Sequence, residues 1–238
     1  MDSRQFIPER KDKIRLIAHR GYTPLAPQNS LPAFMAAGER KYWAIETDVH
    51  MTADGHLVCI HNDTVDSTYR GSGAVKDMTL AELLKLERVE VDGLKFPLFS
   101  EYLKICKDNG AVPFIETKTT DIAAVLEESA KYFAPEEIVM SSAKFNHLEM
   151  VRELTDRVFI HHIFSDEEHL KKLAQMGRAG LSYNYPRLDE VPEGLIEHTH
   201  EMGVCVCLRA GDSPEAVERM VEMGLDYIPT NKIAPQDL

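Results

Sequence analysis

The segment LIAHRGYTPLAPQNSLPAF, residues 16–34, joins a short apolar run to a polar loop and then to a helical pattern. The apolar run predicts a strand over residues 14–18. Directly after it come His19, Arg20 and Gly21, which combine an acid/base group, a fixed cation and a conformationally permissive glycine. A strand end that only turns the chain can use any polar residue, so these three together indicate a functional loop.

Short apolar runs and helical patterns alternate along the rest of the chain in the same way. They predict further strands at residues 44–49, 112–116, 138–141, 158–163, 179–183, 204–208 and 227–229. Thr79 with Glu82, and Ser165 with Glu168, have the spacing of capping boxes at helix starts. Strands that alternate with helices indicate a parallel sheet. Eight such units in about 225 residues favour a closed (β/α)8 TIM barrel over an open doubly wound sheet.

The chain is expected to form a single α/β domain over residues 1–238, with an insertion at about residues 50–98 after the second strand. That insertion contains an extra apolar run, residues 56–60, and a glycine-rich turn at residues 71–73. It follows the carboxyl end of a strand, which is the face of a barrel where active sites lie.

Composition excludes several classes of partner. The net charge is −12 and no run of Lys or Arg stands out, which argues against nucleic acid. The sequence has no apolar stretch of about 18 residues, so no stable membrane insertion is expected. The four cysteines form no CxxC motif and are predicted to be buried, reduced thiols. With no signal-peptide pattern, these features favour a cytoplasmic enzyme or binding protein of unknown oligomeric state.

Three carboxylates occur at alternate positions on neighbouring predicted strands. Glu46 and Asp48 share one face of the second strand, and Glu116 and Lys118 share one face of the third. Close carboxylates repel one another unless a cation lies between them, and a hard divalent cation with oxygen ligands satisfies this need. A structural ion pair with Arg or Lys is the alternative, and Lys118 could either offset this charge or hold an anion.

The histidines divide into two sets. His61 follows the apolar run 56–60 and is either a core or cap residue, or a partner of His19 in acid/base catalysis if both meet in one pocket. Arg20 could bind a phosphate or a carboxylate through two hydrogen bonds. One of the adjacent His161 and His162 could face the pocket. The remaining candidates lie on helical patterns and are expected to be solvated: His147, His169, His198 and His200.

Assembled in order, these motifs resemble the glycerophosphodiester phosphodiesterase family. Residues 19–34 resemble its HRG…APENT…AF opening, residues 45–49 its IExDV, and residues 52–55 its TxDG. The strand ending at His61, the segment 75–86 and the third-strand motif 114–118 continue the resemblance, which thins to residues 224–230 near the end of the chain.

The resemblance implies a TIM barrel that hydrolyses glycerophosphodiesters to glycerol 3-phosphate and an alcohol. His19 and His61 would be the acid/base pair, and Arg20 and Lys118 would contact the phosphate. Glu46, Asp48 and Glu116 would bind one divalent cation, Mg²⁺ or Ca²⁺. A lysophospholipase D-like reaction, a reaction that forms a cyclic phosphate, and a non-catalytic barrel that binds a phosphorylated ligand are the alternatives.

This chain departs from the family pattern at several positions. Asn62 and Asn231 stand where the family has Asp, and Ser67 stands where it has Arg. Residues 207–210 replace an aromatic residue and an amide near the end of a late strand, where Arg209 could add a cation. None of these changes removes a histidine or a carboxylate of the implied site. We therefore expect them to affect which alcohol group the enzyme prefers more than which reaction it catalyses.

Overall fold

The fold is described from a computed structural model over residues 2–8, 14–208 and 211–238. The predicted cation Arg209 and its neighbour Ala210 lie outside the described residues.

Nine strands in these ranges form one sheet. Eight of them are parallel neighbours in the order β8-β7-β6-β5-β4-β2-β1-β9, and β3 pairs antiparallel with β2. The TIM-barrel prediction is therefore confirmed, with every predicted strand present. The strands are β1 Leu16–Ala18, β2 Ala44–Met51, β3 Leu57–Cys59, β4 Val112–Thr117, β5 Val139–Ser142, β6 Phe159–His162, β7 Ala179–Ser182, β8 Cys205–Cys207 and β9 Ile228–Thr230.

Asp226 joins the two ends of the strand order. Its backbone N–H donates to the Val206 carbonyl at 3.0 Å, and its carboxylate accepts from the Val206 N–H at 2.7 Å. These bonds bring β8 beside the start of β9, so the barrel is nearly closed.

Helices follow the strands around the outside of the barrel. They are α1 Leu31–Glu39, α2 Leu80–Leu83, α3 Phe99–Asn109, α4 Ile122–Ala130, α5 Phe145–Leu154, α6 Glu167–Met176, α7 Leu195–Glu201 and α8 Pro214–Glu222. The capping box of Thr79 and Glu82 is confirmed at α2. The one predicted at Ser165 is wrong: Asp166 is the N-cap of α6 and accepts from the His169 N–H, while the Ser165 hydroxyl bonds His162.

Side-chain alternation along the strands separates two parts of the core. Outward-facing residues of the strands pack on the helices and form the largest apolar cluster. A smaller cluster fills the barrel interior around Trp43, Phe114, Phe159 and Tyr227. The segment 2–8 covers the amino-terminal end of the barrel, where Trp43 Nε1 donates to the Pro8 carbonyl at 2.9 Å. The opposite, carboxyl-terminal end is left for the site.

The segment between β2 and α3 has a small apolar core of its own. Strand β3 returns along β2, and the chain then forms a loop that contains the short helix α2. Tyr69 stacks on Phe96 with ring centroids 4.4 Å apart, and both rings are buried. The members of this cluster are Val58, Ile60, Val65, Tyr69, Val75, Leu83 and Phe96. This core packs the segment together, and the pairing of β3 with β2 joins it to the barrel.

Among the residues that the structure describes, no helix has the length and apolar character needed to cross a membrane. All four cysteines are buried, free thiols, as predicted.

Candidate active site

Strand register brings the three predicted carboxylates together. Glu46 and Asp48 point to the barrel interior from β2, and Asp48 lies directly opposite Glu116 on β4. One ligand oxygen from each of the three lies within 4.8 Å of the others, and all three residues are buried. Three carboxylates this close repel one another, so a cationic counterpart is needed to keep all three ionised.

Two cations approach this cluster from either side. Arg20 Nε lies 3.4 Å from Asp48 Oδ2, and Lys118 Nζ lies 3.2 Å from Asp48 Oδ1. Lys118 also forms a close ion pair with Glu116. Among the residues that the structure describes, two single positive charges therefore face three carboxylates, which leaves a net negative charge if all five groups are ionised.

The backbone of Arg20 is fixed in an unusual conformation. Its φ is 59°, in the left-handed region that costs a side-chain-bearing residue about 1–2 kcal/mol. The Arg20 N–H donates to Glu46 Oε2 at 2.7 Å, and the Arg20 carbonyl accepts from the Asn29 N–H at 2.9 Å. Gly21 follows at φ 84°, and a Cβ there would lie 2.7 Å from the Ala33 carbonyl carbon in α1. The loop can therefore close against α1 only with glycine at this position.

Asn29 orients the central carboxylate. Its Nδ2 donates to Asp48 Oδ2 at 2.8 Å, and its Oδ1 accepts from the Thr47 hydroxyl at 2.8 Å. Asn29 is buried and also has a left-handed φ of 48°. The sequence motif over residues 19–34 contains Asn29 but assigns it no role, because its partner Asp48 becomes a neighbour only through the register of β2.

His19 has a fixed ring orientation. Its Nδ1 donates to Asn231 Oδ1 at 2.8 Å. The amide orientation of Asn231 follows from its own Nδ2, which donates to Asp212 Oδ2 at 2.7 Å. An amide oxygen can only accept, so His19 carries its proton on Nδ1 in the neutral form and leaves Nε2 free to accept another. Asn231 stands where the family pattern has Asp. In this chain a carboxylate, that of Asp212, therefore reaches the His19 imidazole only through the Asn231 amide.

His61 is held in a similar way by Asn62. The Nδ1 of His61 donates to Asn62 Oδ1 at 2.7 Å, and Asn62 Nδ2 donates to the Ser67 hydroxyl at 2.7 Å. Two departures from the family pattern, Asn62 and Ser67, are therefore hydrogen-bonded to each other.

One cavity joins the predicted residues at the carboxyl-terminal end of the barrel. It has a volume of about 400 Å³ and is lined by His19, Arg20, Glu46, His61, Glu116 and Lys118 among others. Asp48 lies beneath it, in contact with both cations. An apolar side of the same cavity is formed by Ile17, Phe114, Ile163, Phe164, Leu208 and Pro229. The structure thus brings all seven predicted site residues together.

The site shifts the pKa values of its groups in opposite directions. Burial, followed by the nearby Asp48, raises the pKa of Glu116 to about 7, and burial with Asp48 and Glu116 raises the pKa of Glu46. Burial opposes ionisation of Asp48 too, yet Lys118 and Arg20 together keep its pKa below the ordinary value. Burial, with the Arg20 charge, lowers the pKa of His19, so its neutral form predominates at pH 7.

The remaining histidines only partly match expectation. His161 does face the cavity, whereas its neighbour His162 bonds Ser165 outside the barrel. The prediction that His147 is solvated is wrong: it is buried, with Nδ1 3.3 Å from the Thr117 carbonyl. The expectation of exposure holds for His198, while His169 and His200 are partly covered.

The carboxylate cluster fits a hard divalent cation. Its donors are carboxylate oxygens, the ligands that Mg²⁺ and Ca²⁺ prefer. Asp48 Oδ1 is buried and makes no hydrogen bond of good geometry with residues 2–8, 14–208 or 211–238, although Lys118 is close to it. A buried carboxylate oxygen that faces two further carboxylates, with an ion pair to Lys118 as its described contact, is a suitable ligand position.

Comparison with known proteins agrees with this barrel and this site. The chain matches the glycerophosphoryl diester phosphodiesterase family over residues 19–234. A glycerophosphodiester phosphodiesterase from Caldanaerobacter subterraneus subsp. tengcongensis is 32% identical over 234 residues, 92% of this chain and 94% of that protein.

Solved structures share the fold. A glycerophosphodiester phosphodiesterase from Parabacteroides distasonis superposes with a TM-score of 0.78 at 26% identity, covering 93% of this chain and 94% of that one. A phosphodiesterase from Oleispira antarctica, solved in complex with the product sn-glycerol-3-phosphate, has a TM-score of 0.83 at 22% identity over 96% and 95% of the two chains.

The barrel with a carboxylate cluster and two imidazoles at one mouth therefore defines a phosphodiesterase-type enzyme. The chain belongs to the glycerophosphoryl diester phosphodiesterase family.

Proposed function

We propose that the chain hydrolyses glycerophosphodiesters to sn-glycerol 3-phosphate and an alcohol, with one divalent cation and with His19 and His61 as the acid/base pair. The observation that carries this proposal is the convergence of both imidazoles, both cations and the carboxylate cluster on one cavity. The glycerol 3-phosphate complex of the Oleispira antarctica phosphodiesterase supports the same product class.

His19 is assigned as the general base. Its Nδ1 proton is held by Asn231, so Nε2 is the site that accepts a proton. Burial and the Arg20 charge lower the pKa of His19, which keeps this site unprotonated near neutral pH. His61 is then the general acid. It would act in the imidazolium form, with Asn62 accepting from Nδ1 and with the Nε2 proton transferred to the leaving group.

The hydrolytic step balances with these two residues. A water oxygen forms a bond to phosphorus while its proton moves to His19 Nε2. The bond between phosphorus and the alcohol oxygen breaks, and that oxygen receives the proton from His61. The two histidines end in exchanged protonation states, and proton exchange with solvent restores them.

The two cations are assigned to the phosphate. Arg20 and Lys118 line the cavity, and each already contacts Asp48. They would stabilise negative charge that increases on the phosphoryl oxygens in the transition state. A divalent cation bound by Glu46, Asp48 and Glu116 would neutralise further charge on the phosphodiester.

The whole chain is taken as one catalytic domain, with residues 50–98 as the insertion that carries His61. A cytoplasmic location is proposed as well, supported by the four free, buried thiols.

The test is release of glycerol 3-phosphate from a panel of glycerophosphodiesters with Mg²⁺, Ca²⁺ or EDTA. His19→Ala and His61→Ala should each lower the rate about 10²–10⁴-fold. His198→Ala, on the exposed side of α7, is the matched control and should leave the rate unchanged.

Product analysis separates the alternatives. A cyclic phosphate detected by ³¹P NMR would indicate transfer to an internal hydroxyl, and preferential cleavage of lysophospholipids would indicate a lysophospholipase D-like reaction. A protein that binds glycerol 3-phosphate but cleaves no diester, with either metal, would contradict the proposal.

A further inference from the structure

Arg88 is one of the largest fully buried side chains of the protein. Its relative exposure is 1%, although it belongs to the segment between β2 and α3 rather than to the barrel. Burying a guanidinium is costly unless its donors are satisfied. Its location therefore raises the question of what its hydrogen bonds hold in place.

The donors of Arg88 bind one carboxylate and two backbone carbonyls. Nε donates to Glu90 Oε2 at 2.9 Å, and Glu90 is itself about half exposed. The other side of the guanidinium faces the loop before α1: Nη2 donates to the Gln28 carbonyl at 2.6 Å and Nη1 to the Asn29 carbonyl at 3.4 Å. Arg88 thus fixes two consecutive peptide groups of a loop about sixty residues earlier in the chain.

Those two residues hold the active site by their side chains. Gln28 Oε1 accepts from Arg20 Nη1 at 2.7 Å, and Asn29 Nδ2 donates to Asp48 Oδ2 at 2.8 Å. Asn29 keeps its left-handed backbone only while its neighbours hold it. One guanidinium therefore supports both a proposed phosphate ligand and a proposed metal ligand, each through a single intervening residue.

We propose that Arg88 is a positioning residue that sets the affinity for the divalent cation by clamping the Gln28 and Asn29 carbonyls. This inference rests on the metal site of the proposed function. Releasing the clamp lets Asn29 turn away from Asp48, which costs the cluster its fixed geometry without removing a ligand. Mutating a residue that hydrogen-bonds a metal ligand typically lowers metal affinity by about 10–100-fold. Arg88 contacts no proposed ligand directly and acts through Asn29, so we expect its loss to lower the affinity by about 10-fold.

A matched control is available in Arg152. It too donates to backbone carbonyls of separate segments, with Nη1 2.9 Å from the Val158 oxygen and Nη2 2.7 Å from the Gly177 oxygen. These carbonyls precede β6 and β7, at the end of the barrel opposite the cavity. Losing this clamp should affect stability without reaching the carboxylates.

The experiment measures Mg²⁺ and Ca²⁺ binding to metal-free protein by titration calorimetry for the wild type, Arg88→Met, Arg88→Lys and Arg152→Met. We expect Arg88→Met to weaken binding roughly 10-fold while Arg152→Met binds like the wild type. Arg88→Lys keeps a positive charge and one donor toward the carbonyls, so its affinity should lie between them. The rate of Arg88→Met should recover as the metal concentration is raised.

The outcomes separate this inference from the proposed function. If the wild type binds metal and Arg88→Met binds as tightly, the positioning role is overturned and Arg88 is only structural. Equal weakening in Arg88→Met and Arg152→Met overturns it as well, because a general loss of stability would then explain both. Failure of the wild type to bind either cation overturns the metal site itself. Should Arg88→Met not fold, Arg88→Lys against Arg152→Lys decides by the same comparison.

Discussion

The pair formed by Asn231 and Asp212 allows a sharp test of how His19 is held. Asn231 bridges the imidazole and the carboxylate, accepting from His19 Nδ1 at 2.8 Å and donating to Asp212 Oδ2 at 2.7 Å. The Asn231 backbone N–H also donates to Asp212 Oδ1 at 2.8 Å. The substitution Asn231→Asp introduces the residue of the family pattern. In this protein the new carboxylate would face the carboxylate of Asp212.

The magnitude follows from that contact. Two ionised oxygens 2.7 Å apart repel by about 6 kcal/mol at an effective dielectric constant of about 20. Holding one carboxyl protonated instead costs about 1.4 kcal/mol for each pH unit above its ordinary pKa, which is about 6 kcal/mol at pH 8 and about 1.5 at pH 5. Side-chain movement and solvent relieve part of this, so we expect Asn231→Asp to lose about 3 kcal/mol of stability at pH 8 and about 1 at pH 5.

The assay is thermal unfolding at both pH values. A loss of about 3 kcal/mol corresponds to roughly 10 °C in Tm for a chain of this size. The double variant Asp212→Asn with Asn231→Asp exchanges the two groups and restores a hydrogen-bonded pair with one charge. Its free energy of unfolding should lie within about 1 kcal/mol of the wild-type value, because one hydrogen bond usually contributes about that much.

Kinetics of the exchanged pair report on the imidazole itself. The carboxylate of residue 231 would then contact His19 Nδ1 directly, which favours the imidazolium and raises the pKa of His19 by about one unit. The acidic limb of kcat/KM should move to higher pH by the same amount. Unchanged stability of Asn231→Asp at pH 8, or an exchanged variant no better than the single one, would refute the bridge described here.

Three further outcomes are expected. Burial lowers the pKa of His161 to about 3, so the folded state binds fewer protons than the unfolded state below the unfolded value of about 6.5, and His161 alone costs roughly 2 kcal/mol of stability by pH 5. Urea unfolding at pH 7 and pH 5 should therefore show a loss that is about 2 kcal/mol smaller in His161→Gln than in the wild type. A Cβ on Gly180 would lie 2.0 Å from Tyr227 Oη, so Gly180→Ala should cost about 3 kcal/mol, measured against Gly55→Ala, which has free space and should cost about 1. Glu46→Gln should abolish the rise in Tm that Mg²⁺ or Ca²⁺ gives the wild type, and a persisting rise would place the metal elsewhere.

The barrel was predictable because its signal is local and repeated. Each strand is a short apolar run between helical patterns, and such runs identify strands without knowledge of their partners. Helix starts were less certain. Ser165 matched the capping pattern, but Asp166 offers a carboxylate one residue closer to α6 and is the N-cap instead. Boundaries depend on the competition between adjacent polar groups, which sequence spacing does not resolve.

The site separates in the same manner into predictable and unpredictable parts. Glu46 with Asp48, and Glu116 with Lys118, were recognised because alternation along one strand places each pair on one face. His147 shows the limit of such reasoning: its helix α5 is amphipathic, and the ring lies on the side that packs against the Thr117 carbonyl. Arg88 and Asp212 reach the site only through folding, since their partners are distant in sequence.

The departures from the family pattern make physical sense when they are taken in pairs. Asn62 bonds Ser67 and Asn231 bonds Asp212, so each amide that holds an imidazole is itself held by a neighbour. Both Nδ1 atoms accordingly face neutral amide oxygens. A neutral acceptor fixes the tautomer as well as a carboxylate does, but it stabilises the imidazolium less. For His19, this leaves burial and the Arg20 charge to dominate its pKa. The substitutions therefore retain, at both His19 and His61, the ring orientation that the proposed proton transfer requires.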